Sequence, residues 1–257
     1  MIGSDLEVLD VTLRFGGIVA VNAISFKVKP GELLALVGPN GAGKTAMLNC
    51  INGVYRPRQG SILLDGTDIC GSSLHRMMKI GIGRAFQHAE LFPHLSVSEN
   101  LLIGSHCQFR SGVVGAGLYL GKSRCEESAQ RRRAEEVIDF FELYRYRNNL
   151  VGNLSYGVQK MVGVARALMS EPKLLLLDEP CTGLIREERE DLARFLLRIK
   201  HDLGPTMIWV EHDMQMVSDL ADRIIVMNSG AKMAEGEPDA VRRDPDVVRA
   251  YIGHGLH

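Results

Sequence analysis

A glycine-rich segment near the amino end carries the clearest chemical signal in the sequence. Residues 38–45 read GPNGAGKT, directly after the apolar run 33–37 and before apolar residues at helical spacing. Glycines let the backbone wrap so that successive N–H groups point inward, and the N-terminus of a following helix adds its positive dipole, so such a loop binds phosphate groups. The segment therefore predicts a phosphate-binding loop held between a strand and a helix.

The last two residues of this loop have side-chain roles. Lys44 is expected to reach the terminal phosphates of a nucleotide, and the Thr45 hydroxyl is expected to ligate Mg²⁺. By itself the loop leaves kinases, GTPases and transport ATPases open. The residues predicted to surround the phosphates are Gly38, Pro39, Asn40, Gly41, Ala42, Gly43, Lys44 and Thr45.

A pair of carboxylates narrows the chemistry. The apolar run 174–177 ends in Asp178 and Glu179, at the carboxyl end of a predicted strand, where open α/β sheets place their ligands. We expect Asp178 to hold Mg²⁺ through water and Glu179 to orient and polarise an attacking water molecule. Without the phosphate-binding loop, a helix-capping turn is the better explanation of this pair. With the loop present, the pair indicates hydrolysis of a nucleoside triphosphate.

A sheet must position these groups. Several short runs are continuously apolar or alternate with polar residues, as strands do, and helical patterns separate them. Before Gly204 and Pro205, apolar residues recur at the spacing of an amphipathic helix. They are Leu192, Phe195, Leu196 and Ile199. The predicted strands cover residues 24–28, 33–37, 61–64, 173–177, 206–210 and 223–227. This alternation predicts an α/β domain.

The middle of the chain has few strand signals. We therefore predict one domain, with a core of residues 1–87 and 165–257 that is interrupted by a helical insertion, residues 88–164. Within the insertion, the glycine-rich residues 104–121 are predicted to form a surface loop or a broken helical hairpin. The basic run 131–133 is expected on a solvated helix face. Four residues are expected on one face of the main helix: Val137, Phe140, Phe141 and Tyr144.

Composition limits the partners. The chain has 257 residues, with 30 Lys and Arg against 31 Asp and Glu, so its net charge of −1 removes the usual reason to propose nucleic acid as the main partner. No run approaches the roughly 18 apolar residues of a membrane-spanning helix. The start MIGSDLEVLD lacks the features of a secretion signal. Five cysteines without CxxC pairing argue against a disulfide framework and a zinc site, so we expect a chain of the reducing cytoplasm.

A further segment connects the chain to a known family. Residues 154–160 read LSYGVQK, and in this respect the chain resembles the ATP-binding cassette (ABC) ATPases. The resemblance implies a head-to-tail pair of subunits with two ATP molecules between them. Ser155 and Gly157 are then expected to bind the γ-phosphate of a nucleotide held by the partner subunit, through hydroxyl, N–H and helix dipole.

Three more positions match the same family. Gln87, in RAFQ, corresponds to the glutamine that joins the core to the insertion and senses Mg²⁺ and γ-phosphate, so it is implied as both a catalytic residue and a metal ligand. His212, in VEHD, corresponds to the catalytic switch histidine, and Phe15 to the aromatic residue that stacks on adenine. The implied cofactors are ATP and Mg²⁺. The implied fold is a P-loop NTPase core with an antiparallel β edge and an inserted α-helical subdomain.

The resemblance extends over nearly the whole chain and narrows to one subfamily. Residues 14–17 (RFGG), 86–104 and the tail 234–253 are similar to the ATP-binding subunits of bacterial branched-chain amino-acid importers. The tail is the more specific marker because it lies outside the machinery that handles ATP. Relatives also carry amides, urea or aromatic acids, so the substrate stays open.

The resemblance also implies partners and a location. They are a second ABC ATPase subunit, two membrane-spanning permease subunits and, indirectly, a periplasmic or extracellular substrate-binding protein, with no nucleic acid. The implied location is peripheral, on the cytoplasmic face of the inner membrane. Whether the second ATPase subunit is a copy of this chain or a paralogue stays open.

Three positions depart from the family pattern. Ala46, among the predicted nucleotide contacts, replaces a hydroxyl residue and so removes a hydrogen bond to the α-phosphate worth ~1–2 kcal/mol. Val158 replaces a glutamine, which we expect to remove a polar group at the dimer interface, and Ile185 replaces an aspartate that crosses it. We therefore expect an asymmetric or slower dimer. Two alternatives remain: a soluble cassette that acts on nucleic acid or the ribosome, and a regulatory cassette that hydrolyses ATP poorly.

Overall fold

The structure is a computed structural model that describes residues 2–85, 91–105 and 122–252, with the backbone alone for 122–126 and 251–252. Within these ranges the strands are β1 (Leu6–Phe15), β2 (Ile18–Val28), β3 (Leu33–Val37), β4 (Gln59–Leu64), β5 (Thr67–Asp68), β6 (Ile82–Ala85), β7 (Leu174–Asp178), β8 (Thr206–Val210), β9 (Arg223–Asn228) and β10 (Ala231–Gly236). The α-helices are α1 (Lys44–Ile51), α2 (Leu74–Lys79), α3 (Val97–Gly104), α4 (Lys122–Phe140), α5 (Tyr156–Leu168), α6 (Arg186–Arg198), α7 (Met214–Leu220), α8 (Pro238–Arg243) and α9 (Pro245–Ile252).

A six-stranded sheet, in the order β10-β9-β3-β8-β7-β6, forms the centre of the core. Its strands run parallel except β10, which pairs antiparallel with β9. Every residue of β3, β7 and β8 is buried because other elements cover both faces of the sheet. The carboxyl ends of these three neighbouring strands therefore meet at one edge. The predicted strands 33–37, 173–177, 206–210 and 223–227 are confirmed to within one residue at either end.

A smaller antiparallel sheet, in the order β2-β1-β4-β5, packs against one face of the central sheet. Ile24, Phe26 and Val28 are buried on β2, as their alternation predicts. β1 lies outside the predicted strands, because its pairing with β2 shifts register between Val8 and Val11 and so breaks the period-two pattern. The predicted antiparallel edge is confirmed.

Helices α3, α4 and α5 pack together beside the core. α5 also packs on β6 and β7, and it runs unbroken from Tyr156 to Leu168. The boundary placed at residue 164 therefore falls inside a helix that belongs to both parts, and the division of the chain stays a prediction. Residues 106–121 of the glycine-rich stretch lie outside the described residues.

One residue of the predicted helical face is misplaced. Val137 and Phe141 are buried, and Phe140 packs against the core. Tyr144 is 65% exposed, so its prediction is wrong. The reason is that α4 ends at Phe140 and Glu142 adopts a left-handed backbone with φ of 58°, which redirects the chain before Tyr144.

The helices have polar outer faces. The predicted amphipathic helix is α6, which a π-helical turn over Ile199–Leu203 continues to Gly204 in a left-handed conformation. The four apolar residues of the pattern are buried as expected. On α4, Arg131 and Arg132 are exposed, in agreement with a solvated basic run. Among the described residues no helix combines the length and apolar character needed to cross a bilayer.

Candidate active site

The phosphate-binding loop connects β3 to α1 at the edge where the parallel strands end. Gly38, Gly41 and Gly43 have φ of 148°, 80° and 98°, backbone conformations that favour glycine. A Cβ at Gly38 would collide with the carbonyl oxygen of Met227, and one at Gly43 with that of Ala20. Gly38 and Gly43 are therefore required by close neighbours, whereas Gly41 is favoured by its backbone conformation alone.

Lys44 occupies the first turn of α1 and is buried. Its Nζ donates to the carbonyl oxygens of Gly38 at 2.8 Å and Pro39 at 3.1 Å, so the ammonium group is held inside the curve of the loop. Burial lowers the pKa of Lys44, and the nearby carboxylates of Glu179 and Asp178 oppose that shift. The loop thus contains a desolvated cation at the position predicted to meet phosphate.

Thr45 and Asp178 come together as predicted. The Thr45 hydroxyl donates to Asp178 Oδ1 at 3.3 Å, and Asp178 is 3% exposed at the end of β7. A hydroxyl and a carboxylate are oxygen ligands, which Mg²⁺ prefers, and Mg²⁺ is usually held by one or two carboxylates together with substrate phosphates. Among the described residues no group of three or more His, Cys, Asp and Glu side chains could hold a metal. The Thr45 hydroxyl and the Asp178 carboxylate fit a Mg²⁺ ion whose remaining ligands include phosphate oxygens.

Glu179 and His212, which were predicted separately, lie side by side. Glu179 Oε1 lies 3.6 Å from His212 Nδ1, and the His212 side chain is 45% exposed. Glu179 has a left-handed backbone with φ of 45°, and its N–H donates to the Val210 carbonyl at 3.0 Å. Because this conformation is uncommon outside glycine, the bond to β8 helps to hold the carboxylate at the sheet edge. The arrangement presents a carboxylate and an accessible imidazole side by side.

Glu211 belongs to this site but was not predicted. It is 2% exposed, its Oε1 accepts from the Cys181 N–H at 3.2 Å, and its Oε2 accepts from the His212 N–H at 3.2 Å. Burial raises the pKa of Glu211, although these two donors favour its charged form. The carboxylate therefore connects the loop after Glu179 to the loop that carries His212. A signal was available, since Glu211 follows the apolar strand β8 just as Glu179 follows β7.

Arg84 is a second residue that sequence reasoning missed. It lies on β6, and its Nη2 donates to Asp178 Oδ2 at 2.6 Å while its Nη1 donates to Asn49 Oδ1 at 2.5 Å. The guanidinium thus connects β6, β7 and α1. A charged residue within a short buried strand was the available signal, because such a residue needs a partner.

The LSYGVQK segment forms the start of α5. Ser155 is exposed at the N-cap, where its Oγ accepts from the Val158 N–H at 3.4 Å. Gly157 is buried, and a Cβ there would overlap the carboxylate of Glu188. Gly157 thus has a packing role inside this chain, in addition to the contact with a partner that the resemblance implies. The two residues lie on a different element from the phosphate-binding loop.

The departures from the family pattern occupy different environments. Val158 is only 9% exposed and packs in the hydrophobic core. The prediction that its side chain lies at a dimer interface is therefore wrong. The reason is that Val158 lies on the inward face of α5, one residue after the buried Gly157. Ile185 is 59% exposed at the N-cap of α6, as an interface residue must be, and Ala46 is partly buried on α1.

Two predicted nucleotide contacts remain, Phe15 and Gln87. Phe15 is 46% exposed at the end of β1, and its ring forms a T-shaped pair with that of Tyr55 at a centroid distance of 5.0 Å. An exposed aromatic ring supported by a second ring is a suitable platform for a flat base. Tyr55 was not predicted. Gln87 lies outside the described residues.

Comparison with family profiles gives two matches. The ABC transporter family matches residues 21–182, and the family described as branched-chain amino acid ATP-binding cassette transporter matches residues 231–257. The chain is 38% identical over 251 residues to the high-affinity branched-chain amino acid transport ATP-binding protein BraF of Pseudomonas aeruginosa, covering 96% of this chain and 97% of BraF. It is 37% identical over 248 residues to LivG of Escherichia coli K12, which carries the same description, with the same coverage.

Solved structures show the same architecture. A nucleotide-free ATP-binding cassette from an ABC transporter matches with a TM-score of 0.85 and 30% identity, covering 97% of this chain and 99% of the cassette. An ABC transporter cassette in its ADP conformation gives the same values. A dimeric ATP-binding cassette bound to ADP and Pi matches with a TM-score of 0.75 and 28% identity, covering 91% of this chain and 98% of that one.

Proposed function

This chain belongs to the ABC transporter family of ATP-binding subunits, and on that premise we propose that it hydrolyses ATP to energise the import of branched-chain or related hydrophobic amino acids. The observation that carries the hydrolytic part is the pairing of Glu179 with His212, 3.6 Å apart, beside a phosphate-binding loop. The substrate class is supported by the names of BraF and LivG and by the match of the tail, which takes no part in handling ATP.

In this proposal each side chain of the phosphate-binding half has one task. Lys44 binds the terminal phosphates, and Thr45 and Asp178 hold Mg²⁺, which offsets phosphate charge when it is bound. Glu179 orients the attacking water molecule and accepts its proton. His212 binds the γ-phosphate, and its exposed imidazole is accessible for that contact.

The other predicted contacts complete the nucleotide site. The backbone of residues 38–46 surrounds the phosphates, Phe15 stacks on adenine, and Gln87 reaches Mg²⁺ and the γ-phosphate from the start of the insertion. The exposed Phe15 ring and the positive φ values of the loop glycines support these assignments.

We also propose that the working unit is a head-to-tail dimer of ATP-binding subunits. Ser155 is exposed at a helix N-terminus, where N–H groups and the helix dipole favour an anion, so it suits the γ-phosphate of a nucleotide held by the partner. Ile185 is exposed nearby on the loop that follows Glu179. The dimeric cassette bound to ADP and Pi supports this assembly as an analogy.

The proposed role in import implies further partners. We propose two membrane-spanning permease subunits, an indirect connection to a substrate-binding protein, and a peripheral location on the cytoplasmic face of the inner membrane. Purification of the tagged chain from detergent-solubilised membranes tests this. Two permeases are expected to co-purify, and ATP hydrolysis by the complex is expected to rise when leucine-loaded binding protein is added. A chain recovered only with ribosomes or nucleic acid contradicts the proposal.

A second candidate is a regulatory cassette that binds ATP and hydrolyses it slowly. Ala46 and the exposed Ile185 favour it, since both remove polar groups that the family uses around the nucleotide. Phosphate release by the purified chain decides between the two. Turnover equal to that of Glu179→Gln supports the regulatory cassette, and turnover far above that control supports the ATPase.

A further inference from the structure

Arg84 places a buried positive charge against the acidic end of β7. The side chains of Arg84 and Asp178 are 6% and 5% exposed, and Nη2 lies 2.6 Å from Oδ2. An arginine guanidinium stays charged inside proteins and carries no lone pair for a metal. The carboxylate assigned to Mg²⁺ therefore has a permanent cation of the protein's own as its partner.

The two oxygens of Asp178 are divided between two donors. Oδ1 accepts from the Thr45 hydroxyl at 3.3 Å, and Oδ2 accepts from Arg84. The second arm of Arg84 is fixed by Asn49 on α1, the helix that begins with the phosphate-binding loop. The geometry holds the positive charge beside Asp178 and leaves Thr45 on the opposite oxygen.

The ion pair between Arg84 and Asp178 changes the net charge that an incoming phosphate meets. The carboxylates of Glu179 and Asp178 both act on Lys44, and each repels an incoming phosphate. The single positive charge of Lys44 does not offset these two negative charges. Arg84 compensates the carboxylate of Asp178, which is the one assigned to Mg²⁺, and its guanidinium offers no lone pair to a metal.

We propose that Arg84 is a positioning residue that neutralises Asp178, so that the loop accepts nucleotide phosphates without Mg²⁺ and nucleotide affinity depends only weakly on the metal. This inference rests on the proposed function, which assigns Mg²⁺ to Thr45 and Asp178. Arg84 has a positive charge but cannot coordinate phosphate and water as a metal does. It therefore keeps Asp178 oriented when Mg²⁺ is absent, and its charge reduces the affinity of Asp178 for Mg²⁺.

The test is the affinity of the full-length chain for ADP, measured by isothermal titration calorimetry in excess Mg²⁺ and again in EDTA. ADP avoids hydrolysis during the titration. Arg84→Gln keeps hydrogen-bond donors near Asn49 and Asp178 but removes the charge. The ratio of the Kd in EDTA to the Kd in Mg²⁺ is expected to rise about tenfold or more in this variant, because an uncompensated Asp178 repels phosphate and attracts Mg²⁺.

Two control variants separate charge from structure. Arg84→Lys keeps the charge, and its ratio is expected to stay within about threefold of the wild-type ratio. The double variant Arg84→Gln with Asp178→Asn removes both charges, and its Kd in EDTA is expected to return to within about threefold of wild type. If Arg84 only braces β6 against α1, Arg84→Gln weakens ADP binding by the same factor in both buffers, and that result overturns the inference.

The outcome can be read even if Arg84→Gln does not fold, as judged by near-UV circular dichroism. The double variant then carries the test, since weak ADP binding by a folded double variant in EDTA overturns the proposal. The wild-type titrations test the proposed function separately. Wild-type protein that binds ADP in neither buffer contradicts the nucleotide site itself, whereas normal wild-type binding with an unchanged ratio in Arg84→Gln contradicts only the role of Arg84.

Discussion

The two halves of the candidate site differ in how completely one chain builds them. Around the phosphate-binding loop, Lys44 is buried and bonded to two loop carbonyls, and both oxygens of Asp178 have partners. At the start of α5 and of α6, Ser155, Tyr156 and Ile185 are exposed. In the first half, which we call the closed half, the charged groups are bonded within the chain. In the second, which we call the exposed half, these three residues face solvent.

This difference follows from where each half acts. Groups that bind the chain's own nucleotide gain from being fixed in advance, because a desolvated, pre-organised site loses less on binding. Groups proposed to bind a partner's nucleotide have to stay on the surface. The halves still touch within one chain: Lys160 on α5 donates to the Glu179 carbonyl at 3.5 Å, and the Tyr156 ring packs against Gly183. Movement of one half is therefore expected to reach the other.

The largest effect is expected inside the closed half. Glu179→Gln removes the proposed general base, and kcat for ATP hydrolysis is expected to fall at least about 100-fold while ATP binding is retained. Phosphate release and equilibrium dialysis measure the two quantities. Glu187→Gln, at an exposed position on α6, is the control for loss of one carboxylate. A rate near wild type in Glu179→Gln contradicts the role of this carboxylate.

A mixing experiment tests whether the halves act in different subunits. Lys44→Ala disables the loop half, and Ser155→Arg blocks the exposed half, so each variant alone is expected to be inactive. In an equal mixture, about a quarter of the wild-type hydrolysis rate is expected, because half of the dimers are mixed and each retains one intact site. A chain that carries both changes is the control, since its mixture with either single variant regains nothing. No recovery in the equal mixture contradicts a dimer of identical chains.

Two departures from the family pattern are expected to affect stability in opposite directions when the family residue is restored. Val158→Gln places an amide in the core and is expected to lower the free energy of unfolding by about 1–3 kcal/mol. Ile185→Asp lies at the exposed N-cap of α6, where an aspartate can accept from helix N–H groups, and it is expected to raise stability by about 0.5–1 kcal/mol.

Urea denaturation measures both variants, and ATP turnover of Ile185→Asp tests the interface directly. If Ile185 slows the proposed dimer, turnover is expected to increase. Equal stability of the two variants contradicts the burial difference between these positions. Unchanged turnover in Ile185→Asp contradicts the prediction of a slowed dimer.

Much of the closed half could be predicted because its signals are local in sequence. The loop at 38–45 and the carboxylates at the end of β7 each combine a motif with the strand that carries it. Thr45 and Asp178, both assigned to Mg²⁺ from the sequence, lie within hydrogen-bond distance although they are far apart in the chain. β1 could not be predicted, since its bulges break the alternation on which strand prediction depends.

The contacts that cross elements were harder to predict. Whether Val158 faces the core or a partner depends on how α5 is rotated against α6 and the sheet, which the motif does not encode. Arg84 and Glu211 were missed because their partners, Asp178 and the Cys181 N–H, come from other strands and loops. Burial of a charge is visible in sequence only when the strand around it has been recognised.

The smallest expected effect concerns pH and Glu211. Its pKa in the folded chain is raised above the ordinary value of 4.5 because the carboxylate is buried. Between 4.5 and the raised value the folded state binds more protons than the unfolded state, so wild-type stability falls as pH rises through that window. Each unit by which the pKa is raised corresponds to about 1.4 kcal/mol. Glu211→Gln cannot titrate, so its stability relative to wild type is expected to increase with pH across the same window.

The slope of that difference, rather than its sign at one pH, tests the burial of Glu211. An amide offers one acceptor oxygen, so Glu211→Gln keeps only one of the bonds to Cys181 and His212, and this loss shifts stability equally at every pH. Urea denaturation from about pH 4.5 to 8 separates the constant loss from the pH-dependent gain. Parallel stability curves contradict a buried carboxylate at this position. If the stability of Glu211→Gln relative to wild type increases with pH, the result supports a buried Glu211 carboxylate. Its charged form then destabilises the closed half, where it bonds to the loops of Cys181 and His212.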